Sequence, residues 1–339
     1  MYDTTTRTEG IMSGNFDPKQ VVMDKINQRG GFVNTHAHID RAFILNEDNF
    51  KLVDADLKTK WNFPDEYKKN ASVDDIYANM ERAIKLMISQ GVQAIGTFID
   101  VDPVIEDKAI IAAKRLRENY GDQIKIKYIN QVVKGVIDEE ARKWFEIGAE
   151  FVDIIGGLPE KDEGKEAEHL DILFEAAKKN GGKMLHVHVD QLNLPSQRDT
   201  ELLVAKTKEH NYEGKVVAIH CISVGSQPRE YRHKLYKDIA EAGVMVVACP
   251  HGWIDNSWVA GLDEDVIGPI HNAVTPVKEM AAAGVTVALG TDNIADIYKP
   301  FSDGDMWTDV RFLLESQRLY DVDLLAEIAS TNGLKVLGL

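Results

Sequence analysis

A chain of 339 residues with 44% hydrophobic and 28% charged content can build one large barrel or two average domains, with ample apolar material for a core. Its net charge of −16 argues against nucleic acid and against a polybasic membrane surface as partners, because both are met by basic patches. Two cysteines, Cys221 and Cys249, form no CxxC pair and read as buried free thiols, and no apolar run approaches the roughly 18 residues of a membrane span.

The N-terminus, "MYDTTTRTEGIMSGNFDPKQ", lacks the charged head and apolar run of a signal peptide, so a cytoplasmic protein is expected. Residues 1–30 read as a Thr-rich, mobile extension with a short helix. Strand-like runs then recur at 31–39 ("GFVNTHAHI"), 91–101, 124–133 and 150–158, and again at 183–190, 215–222, 244–250 and 285–292. Their near-continuous apolar character suits parallel strands buried on both faces. The segments between them carry helix signals. In "SVDDIYANMERAIKLMISQG" (72–91) a Ser N-cap and early acids precede apolar residues at spacings of three and four, and a Gly closes the run. "IEDKAIIAAKRLRENYG" and "TPVKEMAAAG" behave alike.

Eight strands alternating with helices predict an α/β fold of the (β/α)8 TIM-barrel type over residues 31–339. An open doubly wound sheet is the alternative, but no GxGxxG opens a helix. Two strand-to-helix connections are long: 40–71, with Arg41, Trp61 and Phe63, and 251–275, with His251, Trp253, Trp258 and His271. Such loops surround the active site of a barrel. Their aromatic residues could cover a flat substrate or pack on the rim.

His36 and His38 fall near the end of the first predicted strand, His186 and His188 near that of the fifth. His220 falls near the end of the sixth, and Asp292 ends the eighth. In a barrel these ends share one face. Residues two apart on a strand point the same way, about 6–7 Å apart at Cα, so imidazoles can converge on one ion. Three His and one Asp suit Zn²⁺ or Fe²⁺, with a position left for water. A single strand His is as readily a satisfied core residue. It is the combination of HxH, HxH, His and "GTD" on four strands that favours a metal site.

These residues resemble the amidohydrolase superfamily, and within it the cytosine deaminase-like branch. "GFVNTHAHID" is similar to its first-strand HxH motif, "HVHVDQ" to its fifth-strand His, "AIHCIS" to its sixth-strand His, and "VKEMAAAGVTVALGTDN" to its eighth-strand Asp; "YINQVVKG" and "GGLPE" resemble its third and fourth strands. The resemblance implies one divalent metal per chain, Zn or Fe, with His36, His38, His188 and Asp292 as ligands. The metal would lower the pKa of a water, Asp292 would accept the proton, and His220 would hydrogen-bond the attacking oxygen. "IIGGLPE" offers no Lys for the carboxylated bridge of dinuclear relatives. His186 is then a supporting core histidine that needs a hydrogen-bond partner. Lys134 and His251 are left as exposed or loop residues.

The departures bear on chemistry. The branch carries a Glu three residues after its fifth-strand metal His, where this chain has Gln191, and a second Asp after its eighth-strand Asp, where this chain has Asn293. Gln cannot shuttle a proton at neutral pH, but it offers one acceptor and two donors. Strand alternation would send Gln191 outward, so a catalytic, substrate-orienting Gln191 requires the strand to end and turn at Asp190. Either the substrate needs no separate acid, or is itself anionic and pairs with Arg41, or Asp190 or a loop residue supplies the proton. Arg41 has a structural ion pair as its alternative. Gln131 resembles the branch's substrate-binding Gln, and Asn293 is the remaining expected substrate contact.

Relatives carry a small β-sandwich built from both chain ends, and this chain is expected to lack most or all of it. The resulting expectation is a metal-dependent hydrolase of a non-peptide C–N bond, a deaminase or amidohydrolase, acting on a small polar or heterocyclic substrate. A lyase or decarboxylase on the same scaffold and a catalytically silent ligand-binding barrel are the rivals. Homo-oligomerisation is left open.

Overall fold

The computed structural model describes residues 16–53, 55, 57–253 and 274–339. Eight parallel strands form the barrel: β1 (Phe32–Ala37), β2 (Val92–Asp100), β3 (Lys125–Gln131), β4 (Ile155–Gly157), β5 (Leu185–Val189), β6 (Val216–His220), β7 (Met245–Ala248) and β8 (Val287–Leu289). They pair in order as an arc β1–β3 and an arc β4–β8. Two single bridges close the circle, Ile129 to Ile154 and Ala37 to Asp292. Glycine permits the close approach at both seams. A Cβ on Gly156 would overlap the Asn130 carbonyl oxygen, and one on Gly290 would stand 2.6 Å from His36 Cβ. Side chains replace missing ladder bonds there: Gly156 N donates to Asn130 Oδ1 at 2.9 Å, and Thr35 Oγ1 donates to the Leu289 carbonyl at 2.8 Å.

Each observed strand lies inside its expected run. The largest trimming is at 150–158, where the helix Glu139–Phe151 takes the first residues and β4 keeps only three. A continuous apolar run cannot mark where a helix ends and a buried strand begins. The 72–91 expectation holds closely. Ser72 and Asp75 form a capping box at the start of the helix Val73–Ser89, and Ile76, Met80, Ala83, Ile84 and Met87 make its buried face. Full burial of each larger aliphatic on that face contributes roughly 1.5–3 kcal/mol relative to exposure.

One apolar cluster lies between strands and helices, and a second fills the barrel. In the second, Val33, Phe98, Val217 and Ile219 meet Val336 and Leu337 from the chain's last helix, Thr331–Val336, and the residue after it. The helix Pro18–Gln28 buries Val22 and Ile26, and Lys25 pairs with Asp323 at 2.9 Å on the helix Val322–Ala329. This part of the expected extension is therefore packed on the barrel. Among the described residues, no helix is long and apolar enough to cross a membrane.

Candidate active site

The strand ends deliver the expected residues to one place. His36 lies on β1 and His38 starts the 3-10 turn that follows it; both Nε2 atoms stand 3.2 Å from Asp292 Oδ1. His188 on β5 and His220 at the end of β6 have ring centroids 5.0 and 5.4 Å from that of His36. The strand ends are sharply turned. Asp190, His220 and Asp292 have φ of 52°, 74° and 63°, a region costly for residues with a Cβ and frequent at functional sites. The turn at Asp190 is the one that Gln191 needs. It brings Gln191 to the cavity wall, while the Asp190 carboxylate accepts from Asp199 N (2.9 Å) and Thr200 N (3.3 Å) at the start of the helix Asp199–Glu209.

Burial holds the imidazoles neutral. It lowers His36 and His38 to about 4 and His220 to about 3, and puts His188 well below its ordinary value. Burial alone would raise Asp292, but the Lys299 ammonium and the histidine contacts outweigh it and hold the carboxylate well below the usual range. Neutral imidazoles beside an ionised carboxylate are the protonation states that metal ligation requires.

The donor set fits a divalent ion. Donor atoms of His36, His38 and Asp292 lie within 4.8 Å of one another, as do those of His36, His188 and His220. His36 is fully buried; its Nδ1 has no hydrogen-bond partner among the described residues and its Nε2 meets Asp292 Oδ1 at 3.2 Å without hydrogen-bond geometry, a costly state that an ion at Nε2 would relieve. His188 Nδ1 lies 3.1 Å from the Gly157 carbonyl, so it donates there and leaves Nε2 as a ligand atom. His38 is less ready. Its Nδ1 lies 3.0 Å from an Arg41 guanidinium nitrogen, which only donates, so in the neutral ring the proton sits on Nε2 and must leave when an ion binds there.

Around this floor opens a cavity whose wall includes Gln131, Gln191, Asn293, Arg41, Trp61, Tyr298 and Lys299. All four residues expected to touch substrate are there. Arg41, however, is already paired: its guanidinium contacts both oxygens of Asp100 at 3.0 and 3.1 Å, and Lys68 Nζ holds Asp100 at 2.9 Å and Asp102 at 2.7 Å. The structural ion pair is the alternative that the geometry realises. His186 is a core residue, as expected, with Nε2 2.9 Å from the Val336 carbonyl. Lys134 is half-buried in a pair with Asp65 at 2.6 Å, and the backbone N–H of His251 donates to Asp309 at 2.9 Å. Trp253 is buried, its indole donating to Thr275 Oγ1 at 3.0 Å. Cys221 and Cys249 are buried and free. Trp258 and His271 lie outside the described residues.

Lys299 was not singled out from the sequence. It is buried, and its Nζ lies 2.6 Å from Asp292 Oδ2. A lysine in a strand-to-helix loop carries no periodic signal. Glu160, in the stretch "GGLPE", carries no sequence signal for a site role; it is buried and accepts from Gln191 Nε2 at 2.7 Å.

The amidohydrolase family model matches residues 30–339, nearly all of the barrel described above. The chain belongs to the amidohydrolase family. It is an enzyme of the class that hydrolyses C–N bonds other than peptide bonds. Among curated relatives, an uncharacterized protein of Haemophilus influenzae is 51% identical over 77% of this chain and 94% of its own length. N-isopropylammelide isopropyl amidohydrolase of Pseudomonas sp. is 26% identical over 100% of this chain and 83% of that protein. In fold, the chain is similar to 5-methylcytosine deaminase from Klebsiella pneumoniae, with a TM-score of 0.81 and 21% identity over 91% of this chain and 74% of that one.

Proposed function

We propose that this amidohydrolase removes an amino or alkylamino group from a small oxo-substituted nitrogen heterocycle, using one divalent ion, Zn or Fe, held by His36, His38, His188 and Asp292. The observation that carries this reading is the convergence of four neutral imidazoles and one ionised carboxylate at the floor of a cavity walled by amides. The relatives named for action on N-isopropylammelide and as a pterin deaminase support the substrate class.

The ion, when bound, supplies an acidified water as nucleophile. Asp292 takes the water's proton, and its tight contact with Lys299 keeps it ionised until then. His220, neutral at the cavity wall, hydrogen-bonds the oxygen that attacks the ring carbon. Gln131, Gln191 and Asn293 bind the polar edge of the ring, and Trp61 and Tyr298 flank its faces. Asp190 is committed to capping a helix, which favours a substrate that needs no separate carboxylic acid at that strand end.

The test is a panel of N-isopropylammelide, 5-methylcytosine and pterin, followed for release of amine or ammonia in ¹⁸O-labelled water. Hydrolysis puts one labelled oxygen at the ring carbon that lost nitrogen. Turnover of any related heterocycle without label would instead favour a lyase.

A further inference from the structure

Behind two of the three amides at the cavity wall stands a buried carboxyl group. Gln191 Nε2 donates to Glu160 Oε2 at 2.7 Å, and Asn293 Nδ2 donates to Asp296 Oδ2 at 2.5 Å. Neither the Gln191 nor the Asn293 side-chain oxygen has a donor among the described residues, and both residues line the cavity. Gln131 is turned the other way, its Oε1 accepting from Val132 N at 3.1 Å, which leaves its NH₂ as the group to offer. An ionised carboxylate only accepts hydrogen bonds, so an amide in front of it must turn its NH₂ inward and its carbonyl outward.

At Glu160 this arrangement has a second state. Gln197 fixes one of the two carboxyl oxygens. Its own Oε1 accepts from Leu192 N at 2.9 Å and from Ser223, which pins that amide and aims its Nε2 at Glu160 Oε1. Only Oε2 remains free to change role. If it is bare, it accepts from Gln191. If it carries the proton, it donates, and the Gln191 amide turns over to accept, presenting its NH₂ to the cavity.

We propose that Glu160 is a positioning residue that sets which end of the Gln191 amide meets the substrate: an acceptor when its carboxyl is ionised, a donor when it is protonated. The inference rests on the reading of this cavity as the substrate site. The ionised state reads a ring N–H, and the protonated state reads a ring carbonyl or a bare ring nitrogen. An amide at this strand end thus gains two hydrogen-bonding faces that a carboxylate in its place would not combine.

The surroundings make the change accessible near neutral pH. Burial, followed by the charge of Asp199, pushes the Glu160 carboxyl up to about 8. The charged groups facing it are two acids, Asp190 after β5 and Asp199 on the following helix. On its own turn, Lys161 lies over the Trp61 ring, 5.1 Å from the centroid, and Asp162 is bound to His169 at 2.7 Å. Arg198 donates to the carbonyls of Pro195 and Gln197. Among the described residues, no cation pairs with Glu160.

The experiment is nuclear magnetic resonance on the full chain loaded with Zn²⁺. The Glu carboxyl carbons and the side-chain amides are followed from about pH 6 to 10, a window that spans the raised titration of a buried carboxyl. The Gln191 NH₂ pair is identified by its loss in Gln191→Leu and independently in Gln191→Met. The Gln191 pair and the Glu160 carboxyl are expected to shift together with one midpoint near 8, and Glu160→Gln to leave the Gln191 pair independent of pH. Protonation beside an amide that does not turn over would move its shift without changing the solvent exchange of its NH₂, whereas turnover faces the NH₂ to the cavity and speeds that exchange below the midpoint. A Gln191 pair that stays fixed in the wild-type protein overturns the proposal, and that titration decides alone if Glu160→Gln does not fold. No turnover is required, so failure of the C–N hydrolase reading would show in the labelled-water panel and not here.

Discussion

Replacing Lys299 by Met removes the positive charge from a contact of 2.6 Å to Asp292 Oδ2, between side chains 3% and 9% exposed. Removing one partner of a buried pair costs about 3–5 kcal/mol, because the remaining charge is stranded in a poorly solvated place. That figure applies to the metal-free protein. With a divalent ion on the other side of Asp292 the carboxylate keeps an opposite charge, and the loss falls toward that of a single charge-assisted hydrogen bond, about 1.5–3 kcal/mol. At about 2 °C per kcal/mol, the low end for large domains, the expected drop in Tm is roughly 6–10 °C without metal and 3–6 °C with it. The assay is scanning calorimetry of wild type and Lys299→Met, each stripped with chelator and reloaded with one equivalent of Zn²⁺. Equal losses in the two states would refute the reasoning, since they would mean that Asp292 does not share its charge with a bound ion. So would no loss in the stripped protein.

His186→Phe is expected to keep its metal and lose about 1–3 kcal/mol in urea unfolding, because the Val336 carbonyl is left without a donor. Arg41→Met strands Asp100 beside only Lys68, so a stability loss of about 3–5 kcal/mol is expected in the same assay. A change in substrate affinity with unaltered stability would restore Arg41 as a substrate contact. Glu160 titrates at about 8 in the fold against 4.5 ordinarily, so between those values the folded state holds a proton that the unfolded chain has released. Its contribution to stability therefore falls as pH rises across that window and levels off above it. Glu160→Gln is expected to remove this part of the slope, as read from urea midpoints at several pH values.

The barrel and its floor were legible because their signals are local. Each of His36, His188 and Asp292 sits in a short apolar run that ends in polar residues, and the helix Val73–Ser89 announces its cap and its buried face. What a period of two cannot say is where a strand stops. The place of Gln191 turned on Asp190 leaving the strand at φ 52°, a backbone feature of a residue type that also continues strands. Lys299 and the partners of Arg41, Asp100 and Lys68, were hidden for another reason. Arg41 follows β1, Asp100 ends β2 and Lys68 lies on the helix Pro64–Asn70, while Lys299 folds back on Asp292 within the connection after β8, and a charged residue looks the same in sequence whether it faces solvent or a buried carboxylate. The short closing contacts at Gly156 and Gly290 were equally silent, because a glycine in an apolar run marks a turn as readily as a seam.

The most direct test of the central claim is the metal content per chain, by elemental mass spectrometry on protein purified without added metal. The account predicts a value near one Zn or Fe, lost in both His188→Ala and Asp292→Ala and retained in His186→Phe. A value near two would mean that a bridging ligand has been missed and would overturn the one-ion account. A value near zero that added Zn²⁺ or Fe²⁺ cannot raise would contradict the proposed mechanism at its root.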